Sequence, residues 1–138
     1  MDLERFVLAQ AETYDDALAE LRAGRKTSHW MWWVFPQVAG LGQTPTSRSY
    51  AIADLAEARA YAAHDVLGPR LRECCRALLD LEGVSAEEVL GGIDATKLRS
   101  SMTLFALADP EEPVFAEVLD RFYGGARDER TVALLDHR

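Results

Sequence analysis

The sequence predicts an all-α, compact multihelical single domain over residues 1–138, and three observations predict it. Apolar residues recur at the helical spacing i, i+3, i+4 and i+7 in most segments of the chain. Capping residues and glycines stand where these segments would begin and end as helices. No segment alternates strongly between polar and apolar residues, and the best strand candidate, residues 49–53, is weak.

Two helices are predicted near the N-terminus, over residues 3–10 and 14–21, from the spacing of their apolar side chains. Thr13, with an acidic residue three positions later, resembles an N-cap for the second helix. Gly24 is expected to end that helix, because glycine readily adopts the left-handed conformation that follows helix C-termini.

The segment from Gly24 to Gln37, GRKTSHWMWWVFPQ, contains all three tryptophans of the chain. Ser28 is expected to cap a short helix that ends before Pro36, since proline disfavours helical dihedrals in the residue before it. A short helix that is aromatic on all sides cannot lie at the surface. It is expected to be enclosed by other helices, with its indole N–H groups bonded to acceptors.

Residues 39–49, AGLGQTPTSRS, are predicted to be a loop because they lack a periodic pattern and are rich in Gly, Pro, Ser and Thr. An irregular segment of this length is long for a compact domain, and such segments are often functional. Further helices are expected beyond it, one of them over residues 94–108. Their starts are marked by the capping residues Asp54, Ser85, Asp94 and Asp128.

The overall charge argues against two classes of partner. The formal net charge is −8 and the pI is about 4.8, whereas proteins that bind nucleic acid through its phosphates need clustered Lys and Arg. Docking on an anionic membrane surface is unfavourable for the same reason. No apolar run is long enough for a membrane span, and the acidic N-terminus does not resemble a signal peptide.

The two cysteines, Cys74 and Cys75, are neighbours in the chain. Adjacent cysteines rarely form a structural disulfide, because the bridge would strain the peptide between them. They fall on an apolar helical stripe and are expected to be inert core thiols. A reduced, cytoplasmic setting is therefore predicted. The three histidines are scattered, so no metal site and no cofactor are expected.

The aromatic segment has two interpretations. In the first, it is a large core anchor, with His29 bonded to a backbone carbonyl. In the second, one face packs while the other lines a polar pocket, with Arg25 and Lys26 at its rim and His29 as the natural acid or base. The ligand-binding residues predicted from this segment and the loop after it are Trp30, Trp33, Gln37 and Tyr50.

A second polar cluster lies on the predicted helix 94–108. Lys97, Ser100 and Ser101 share one flank of an otherwise apolar helix, although helix interiors disfavour serine. In one interpretation, Asp94 and Lys97 form an exposed i, i+3 pair and the serines bond back to their own helix. In the other, Lys97, Ser100 and Ser101 face a cleft and hold an anion or a sugar-like ligand.

Three blocks of the sequence resemble the segments that define a bacterial family of unknown function, number 1810: GRKTSHWMWWVFPQVAGLG, EARAYAAHDVLGPRL and DATKLRSSMTLFALA. The resemblance implies a multihelical all-α domain and no established activity. Some members carry the label calpastatin, which does not fit, because that inhibitor acts as a disordered chain and this composition predicts a packed core. The shared pattern includes His29, Trp30, Trp32, Trp33, Phe35, Pro36, Gln37, Lys97, Ser100, Ser101 and Thr103.

Two hypotheses of function follow. The first is a small-molecule site, catalytic or not, between helix 28–35 and helix 94–108. Its ligand would be anionic or nucleotide-like and would stack on a tryptophan. A hydrolase or transferase acting on a nucleotide-derived metabolite is the most concrete form of this hypothesis. The second is a non-catalytic protein-interaction or structural module without a ligand pocket, in which the aromatic block is core alone.

Overall fold

The computed structural model describes residues 2–137 and places ten α-helices within them. The prediction of an all-α fold is confirmed. None of the helices in the described range combines the length with the apolar composition that a membrane-spanning helix requires. The helices, numbered in chain order, are α1 Glu4–Ala11, α2 Tyr14–Ala23, α3 Met31–Val34, α4 Pro45–Ser49, α5 Leu55–Ala63, α6 Leu67–Leu79, α7 Ala86–Leu90, α8 Gly92–Ala108, α9 Val114–Tyr123 and α10 Glu129–Asp136.

The longest helix, α8, lies at the centre of the fold. It packs against α5, α7, α9 and α10, while α6 packs against α2, α5 and α9. From Ser100 to Phe105 every residue of α8 is buried, as expected for a helix enclosed on all sides. The first turns of α8, which carry Asp94 and Lys97, lie nearer the surface. One helix therefore connects the core with a partly exposed polar region.

Aromatic rings form a continuous row through the core. Phe6 meets Tyr61 edge-on, with 5.1 Å between the ring centroids. Phe105 lies 5.3 Å from Tyr61 and 5.6 Å from Phe115. Tilted pairs of this kind are each worth about 0.5–1.5 kcal/mol beyond their buried area. Helix α3 packs against α1 beside this row, so the tryptophan segment rests on the core.

Several predicted helix ends are confirmed. Asp54, Ser85 and Asp128 each accept a hydrogen bond from a backbone N–H of the helix that follows, and Ser85 forms a complete capping box with Glu88. Gly24 ends α2 in the left-handed conformation, with a φ of 79°. These caps satisfy backbone groups that have no partner inside the helix.

Three other predicted caps make no capping hydrogen bond, although Thr13 does stand at the N-cap position of α2. Thr13 makes no capping bond to α2, because its hydroxyl donates to a carbonyl of α1. Ser28 donates to Glu20 instead of capping a helix, so α3 begins later than predicted. Asp94 lies inside the first turn of α8, since that helix already begins at Gly92. At Thr13 and Ser28, a hydrogen bond outside the helix replaces the local cap.

The segment 39–49 is only partly a loop. Its second half forms α4, whose N-cap Thr44 accepts a backbone hydrogen bond and whose first residue is Pro45. Proline is favoured at the first position of a helix, where its missing N–H would have had no partner. An isolated parallel β-bridge between Val38 and Ile52 joins the two ends of the segment. This single bridge is the only β-structure that the described residues form in the strand candidate 49–53.

Candidate functional site

The Glu20 carboxylate organises the loop between α2 and α3. It accepts hydrogen bonds from the backbone N–H groups of Thr27 and Ser28 at 2.7 and 2.9 Å, from the Ser28 hydroxyl at 2.5 Å and from the Trp30 indole N–H at 3.0 Å. Burial by itself raises the pKa of Glu20, but these hydrogen bonds outweigh burial and lower the pKa to about 2. The exposed side chain of His29 therefore projects from an anchored loop.

The same loop meets α8 at Asp94. Lys26 Nζ lies 3.0 Å from one carboxylate oxygen of Asp94, and Lys97 Nζ lies 3.1 Å from the other. The exposed side-chain fractions are 10% for Lys26, 16% for Asp94 and 20% for Lys97. Burial raises the pKa of Asp94, but the hydrogen bonds from the two lysines outweigh it, and the pKa is lowered. These are the only two lysines in the sequence, and we name the cluster the lysine–aspartate triad.

Each lysine of the triad also faces a tryptophan ring. Lys26 Nζ lies 5.2 Å from the ring centroid of Trp30, and Lys97 Nζ lies 3.9 Å from that of Trp32. Cation–π contacts of this kind are worth about 0.5–1 kcal/mol when exposed and about 2 kcal/mol when desolvated. Both ammonium groups are therefore held from two sides, by a carboxylate and by an indole.

An open cavity of about 240 Å³ lies at the triad, and we name it the triad cavity. His29 and Lys97, which are distant in sequence, both line it. A pocket between the aromatic segment and the helix that carries Lys97 requires this convergence. The other residues that line the cavity are Lys26, Trp30, Met31, Trp32, Trp33, Thr46 and Asp94.

A second cavity, of about 360 Å³, adjoins the triad cavity at Trp32 and Lys97, which line both. We name it the Arg130 cavity, because Arg130 of α10 contributes a guanidinium that has no ion-pair or hydrogen-bond partner within residues 2–137. The Asp128 carboxylate on its wall is already bonded to Ser100 and to the first turn of α10. Ser100 also lines the cavity, and the remaining lining residues are Gln37, Leu41, Gly42, Ile93 and Thr96.

A smaller hollow of about 110 Å³ lies between the 39–49 segment and Trp32. Tyr50 lines it, and the Tyr50 ring packs against Trp33 with 5.2 Å between centroids. Trp32 and Gln37 belong both to this hollow and to the Arg130 cavity. The triad cavity, the Arg130 cavity and the hollow therefore follow one another around Trp32, and together we name them the Trp32 groove.

The Trp32 groove is positively charged although the chain is acidic. Four basic side chains line it against two carboxylates, whereas the whole chain has a formal net charge of −8. A cleft lined by one sign of charge raises the local concentration of ligands of the opposite sign. The basic residues are Lys26, Arg48, Lys97 and Arg130, and the acidic residues are Asp94 and Asp128.

The indole N–H groups of the three tryptophans differ. Trp30 donates to Glu20, and Trp33 donates to the Thr13 hydroxyl at 2.9 Å. The Trp32 N–H donates to no atom of the described residues, and its half-buried ring lines all three parts of the groove. Buried indole N–H groups are normally paired. The Trp32 N–H is unpaired but is not among the buried unpaired polar atoms of the described residues, so solvent or a ligand can reach it.

A protein-family model matches residues 1–135 of the chain, and its description is protein of unknown function, DUF1810. The chain belongs to the DUF1810 family. It is also similar to a solved structure, the conserved hypothetical protein Rv1873 from Mycobacterium tuberculosis, with 53% sequence identity and a TM-score of 0.96. That match covers 98% of this chain and 96% of the other. No curated protein matches the chain. The family predicted from the sequence is confirmed, and neither match names an activity.

In this DUF1810 protein, the structure brings most of the predicted site residues to the Trp32 groove. Trp30 is 1% exposed, and its N–H is taken by Glu20, so it belongs to the wall. Ser100 is 3% exposed, and its hydroxyl is bonded to Asp128 and to a carbonyl of α8. The predicted residues that line the groove are His29, Trp30, Trp33, Gln37, Tyr50, Lys97 and Ser100.

Ser101 is the predicted residue that the structure places elsewhere. It is fully buried and lines no part of the Trp32 groove. Its hydroxyl has no hydrogen-bond partner among the described residues. The reason is the face of α8 on which it lies, because Ser101 shares the enclosed face of the helix with Leu98 and Phe105, whereas Lys97 and Ser100 line the Arg130 cavity. Shared helix spacing with Lys97 was therefore not enough to bring Ser101 to the same cavity.

Sequence reasoning missed three important features of the site. It placed Lys26 at a pocket rim but not on Asp94, it did not choose Trp32 as the ligand-facing tryptophan, and it did not include Arg130. One sequence signal was available for the first. Lysine is rare in this arginine-rich chain, with only Lys26 and Lys97 present. No comparable signal distinguished Trp32 from its neighbours.

The two thiols lie outside the groove and are inert, as expected. Cys74 and Cys75 are buried and free. Burial raises the pKa of Cys74 to about 12 and raises the pKa of Cys75 well above its usual value. Neither thiol therefore ionises readily at neutral pH to give the nucleophilic thiolate. Within the described residues, no group of three or more His, Cys, Asp or Glu side chains could hold a metal ion.

Proposed function

We propose that the Trp32 groove binds a small anionic, nucleotide-like metabolite. The observation that carries the proposal is the lysine–aspartate triad, in which both lysines of the chain share one carboxylate and each faces a tryptophan. Two ammonium groups against one carboxylate leave one positive charge uncompensated in a largely buried cluster. A bound anion compensates that charge, and charge-assisted hydrogen bonds to an anion are stronger than neutral ones.

The aromatic wall supports a ligand that carries a ring as well as a charge. The Trp32 ring lines the groove throughout, and its N–H is unpaired within the described residues. Stacking of a base on an aromatic side chain is worth about 1–3 kcal/mol. A nucleotide-like metabolite combines such a ring with the negative charge that the triad attracts.

His29 is the residue of the groove best suited to move a proton. It is exposed, lines the triad cavity and has no hydrogen-bond partner among the described residues. Imidazole is the side chain most often used as a general acid or base near neutral pH. A hydrolase or transferase acting on a nucleotide-derived metabolite is the reaction class in which His29 would act, with the triad holding the phosphate.

A thermal-shift screen with nucleotides and sugar phosphates tests the proposal on three proteins. These are the wild type, Lys97→Met and the control Arg127→Gln. Arg127 is exposed and lines no part of the groove, so the control removes one positive charge elsewhere. A ligand at 100 times its Kd stabilises a protein by about 2.7 kcal/mol. We expect at least one phosphate-bearing ligand to raise the Tm of the wild type and the control but not that of Lys97→Met.

The competing hypothesis is a non-catalytic protein-interaction or structural module, and it predicts a different result. In that case no metabolite raises the Tm of any of the three proteins, and Lys97→Met lowers the Tm strongly because the triad is purely structural. That result would reject the proposal. Once a ligand is found, His29→Gln separates binding from catalysis, since it should retain the affinity and lose any turnover.

A further inference from the structure

We infer that the ligand of the Trp32 groove is an organic diphosphate, and that Arg130 binds the phosphate that Lys97 does not. The inference rests on the proposed function. It extends that function by assigning the Arg130 cavity and by separating diphosphates from monophosphates. Three features of the groove support it, namely the position of Lys97, the unpaired guanidinium of Arg130 and the apolar rim beside it.

Lys97 stands at the boundary between the two larger cavities. Its side chain lines both the triad cavity of about 240 Å³ and the Arg130 cavity of about 360 Å³. Its Nζ is fixed 3.1 Å from Asp94 and 3.9 Å from the ring centroid of Trp32. An anionic group bound to this ammonium can therefore continue into the Arg130 cavity without leaving the groove.

Arg130 offers a second cationic contact in that cavity. The one carboxylate in its lining, Asp128, accepts hydrogen bonds from the Ser100 hydroxyl at 3.1 Å and from the Thr131 backbone and hydroxyl at 3.1 and 2.5 Å. Within the described part of the chain, no ion pair joins Asp128 to Arg130. A guanidinium can bind two oxygens of one phosphate at once, so Arg130 suits a second phosphate linked to the first.

The rim of the Arg130 cavity is apolar where the organic part of such a ligand would lie. Ile93 is 78% exposed, more than any other large apolar side chain among the described residues, and the half-buried Leu41 lines the same cavity. A single exposed apolar residue is ordinary on a protein surface. Next to a cationic cavity and the Trp32 ring, it favours an organic diphosphate over inorganic pyrophosphate.

Isothermal titration with nucleoside mono- and diphosphates tests the inference, using the adenosine and uridine pairs and inorganic pyrophosphate as probes. The proteins are the wild type, Arg130→Gln and the matched control Arg127→Gln. For the wild type and the control, we expect a diphosphate to bind about tenfold more tightly than its monophosphate. In Arg130→Gln the diphosphate should lose about tenfold in affinity while the monophosphate is unchanged. Pyrophosphate should bind more weakly than the nucleoside diphosphates.

Several results would overturn the inference, and they are distinguishable from a failure of the proposed function. Equal binding of mono- and diphosphates to the wild type, with both lost in Lys97→Met, would reject the role of Arg130 and leave the anion site standing. A preference for diphosphate that survives in Arg130→Gln would reject it too. If no probe binds the wild type, the diphosphate assignment is wrong, and the wider metabolite screen decides whether the groove binds any anion.

Discussion

The ammonium of Lys97 lies 3.9 Å from the ring centroid of Trp32, which joins the first half of α8 to the short helix α3. Lys97 also donates to Asp94, and Asp94 is bonded to the loop that precedes α3. The cationic wall of the groove is thus in place before a ligand arrives. Pre-organisation of this kind lowers the entropic cost of binding.

Removing the charge of Asp94 should destabilise the fold. In Asp94→Asn, two largely buried ammonium groups lose their shared counter-charge, a change that costs about 3–5 kcal/mol at fully buried sites. Because both lysines retain some exposure, we expect a loss of about 2 kcal/mol in the free energy of unfolding. Urea denaturation followed by tryptophan fluorescence measures it. The exposed control Asp65→Asn should stay within about 0.5 kcal/mol of the wild type, and equal losses in both variants would contradict a charged triad.

The hydrogen bonds to Glu20 should make the free energy of unfolding depend on pH under acidic conditions. Folding lowers the pKa of Glu20 from its usual 4.5 to about 2, so the folded state favours the ionised form. This stabilisation is complete above about pH 4.5 and is lost as the pH falls towards 2. We expect Glu20→Gln to cost about 2 kcal/mol at neutral pH and the gap to the wild type to narrow near pH 2. Urea denaturation at several pH values in this range measures the difference in the free energy of unfolding between the two proteins. A difference that does not change with pH would rule out a contribution from ionised Glu20.

The tryptophans should differ in how much stability they provide. Trp30 is 1% exposed and donates to Glu20, so Trp30→Phe leaves a void and removes a hydrogen bond from that carboxylate, at a cost of about 2–3 kcal/mol. Trp32→Phe removes an unpaired N–H at a cavity wall and should cost less than about 1 kcal/mol. Thermal unfolding of the two variants gives the comparison. The reverse order would show that Trp32 is a core residue.

Gly42 has no room for a side chain. A Cβ at this position would lie 2.5 Å from Ser47 and 3.7 Å from the Trp32 ring. Gly42→Ala should therefore displace the segment before α4 and cost about 1–3 kcal/mol. The control is Gly92→Ala in the first turn of α8, where no atom of the described residues beyond the chain neighbours and the adjacent helix backbone lies within 4 Å of the added Cβ, and its effect should be neutral or slightly stabilising. Chemical denaturation that ranks the two variants equally would disprove the close approach.

Local signals in the sequence predicted the helices well and their exact starts less well. Asp54, Ser85 and Asp128 were predictable because a cap depends only on residues one turn apart. Ser28 was not, because its hydroxyl is used by Glu20, a contact across a loop that a local pattern does not contain. Pro45 was misleading for a different reason, since proline occurs both in loops and at the first position of a helix.

The candidate site was predictable as a meeting of two segments and unpredictable in its details. Polar residues on an apolar helix drew attention to Lys97, and the density of aromatic residues drew attention to the tryptophan segment. The contact of Lys26 with Asp94 depends on the path of the loop that Glu20 holds. Trp32 differs from the other two tryptophans because Glu20 accepts the N–H of Trp30 and Thr13 accepts the N–H of Trp33. Neither acceptor follows from helical spacing.

The most direct measurement follows the three indole N–H signals in a ¹⁵N–¹H NMR spectrum during titration with a nucleoside diphosphate. The Trp32 signal is assigned by its loss in Trp32→Phe. The predicted result is a saturable shift of the Trp32 signal and little change at Trp30 and Trp33, whose N–H groups are bonded inside the protein, with no shift in Lys97→Met. A Trp32 signal that stays in place at millimolar concentrations of every phosphate probe, or that shifts equally in Lys97→Met, would contradict an anion site in the Trp32 groove.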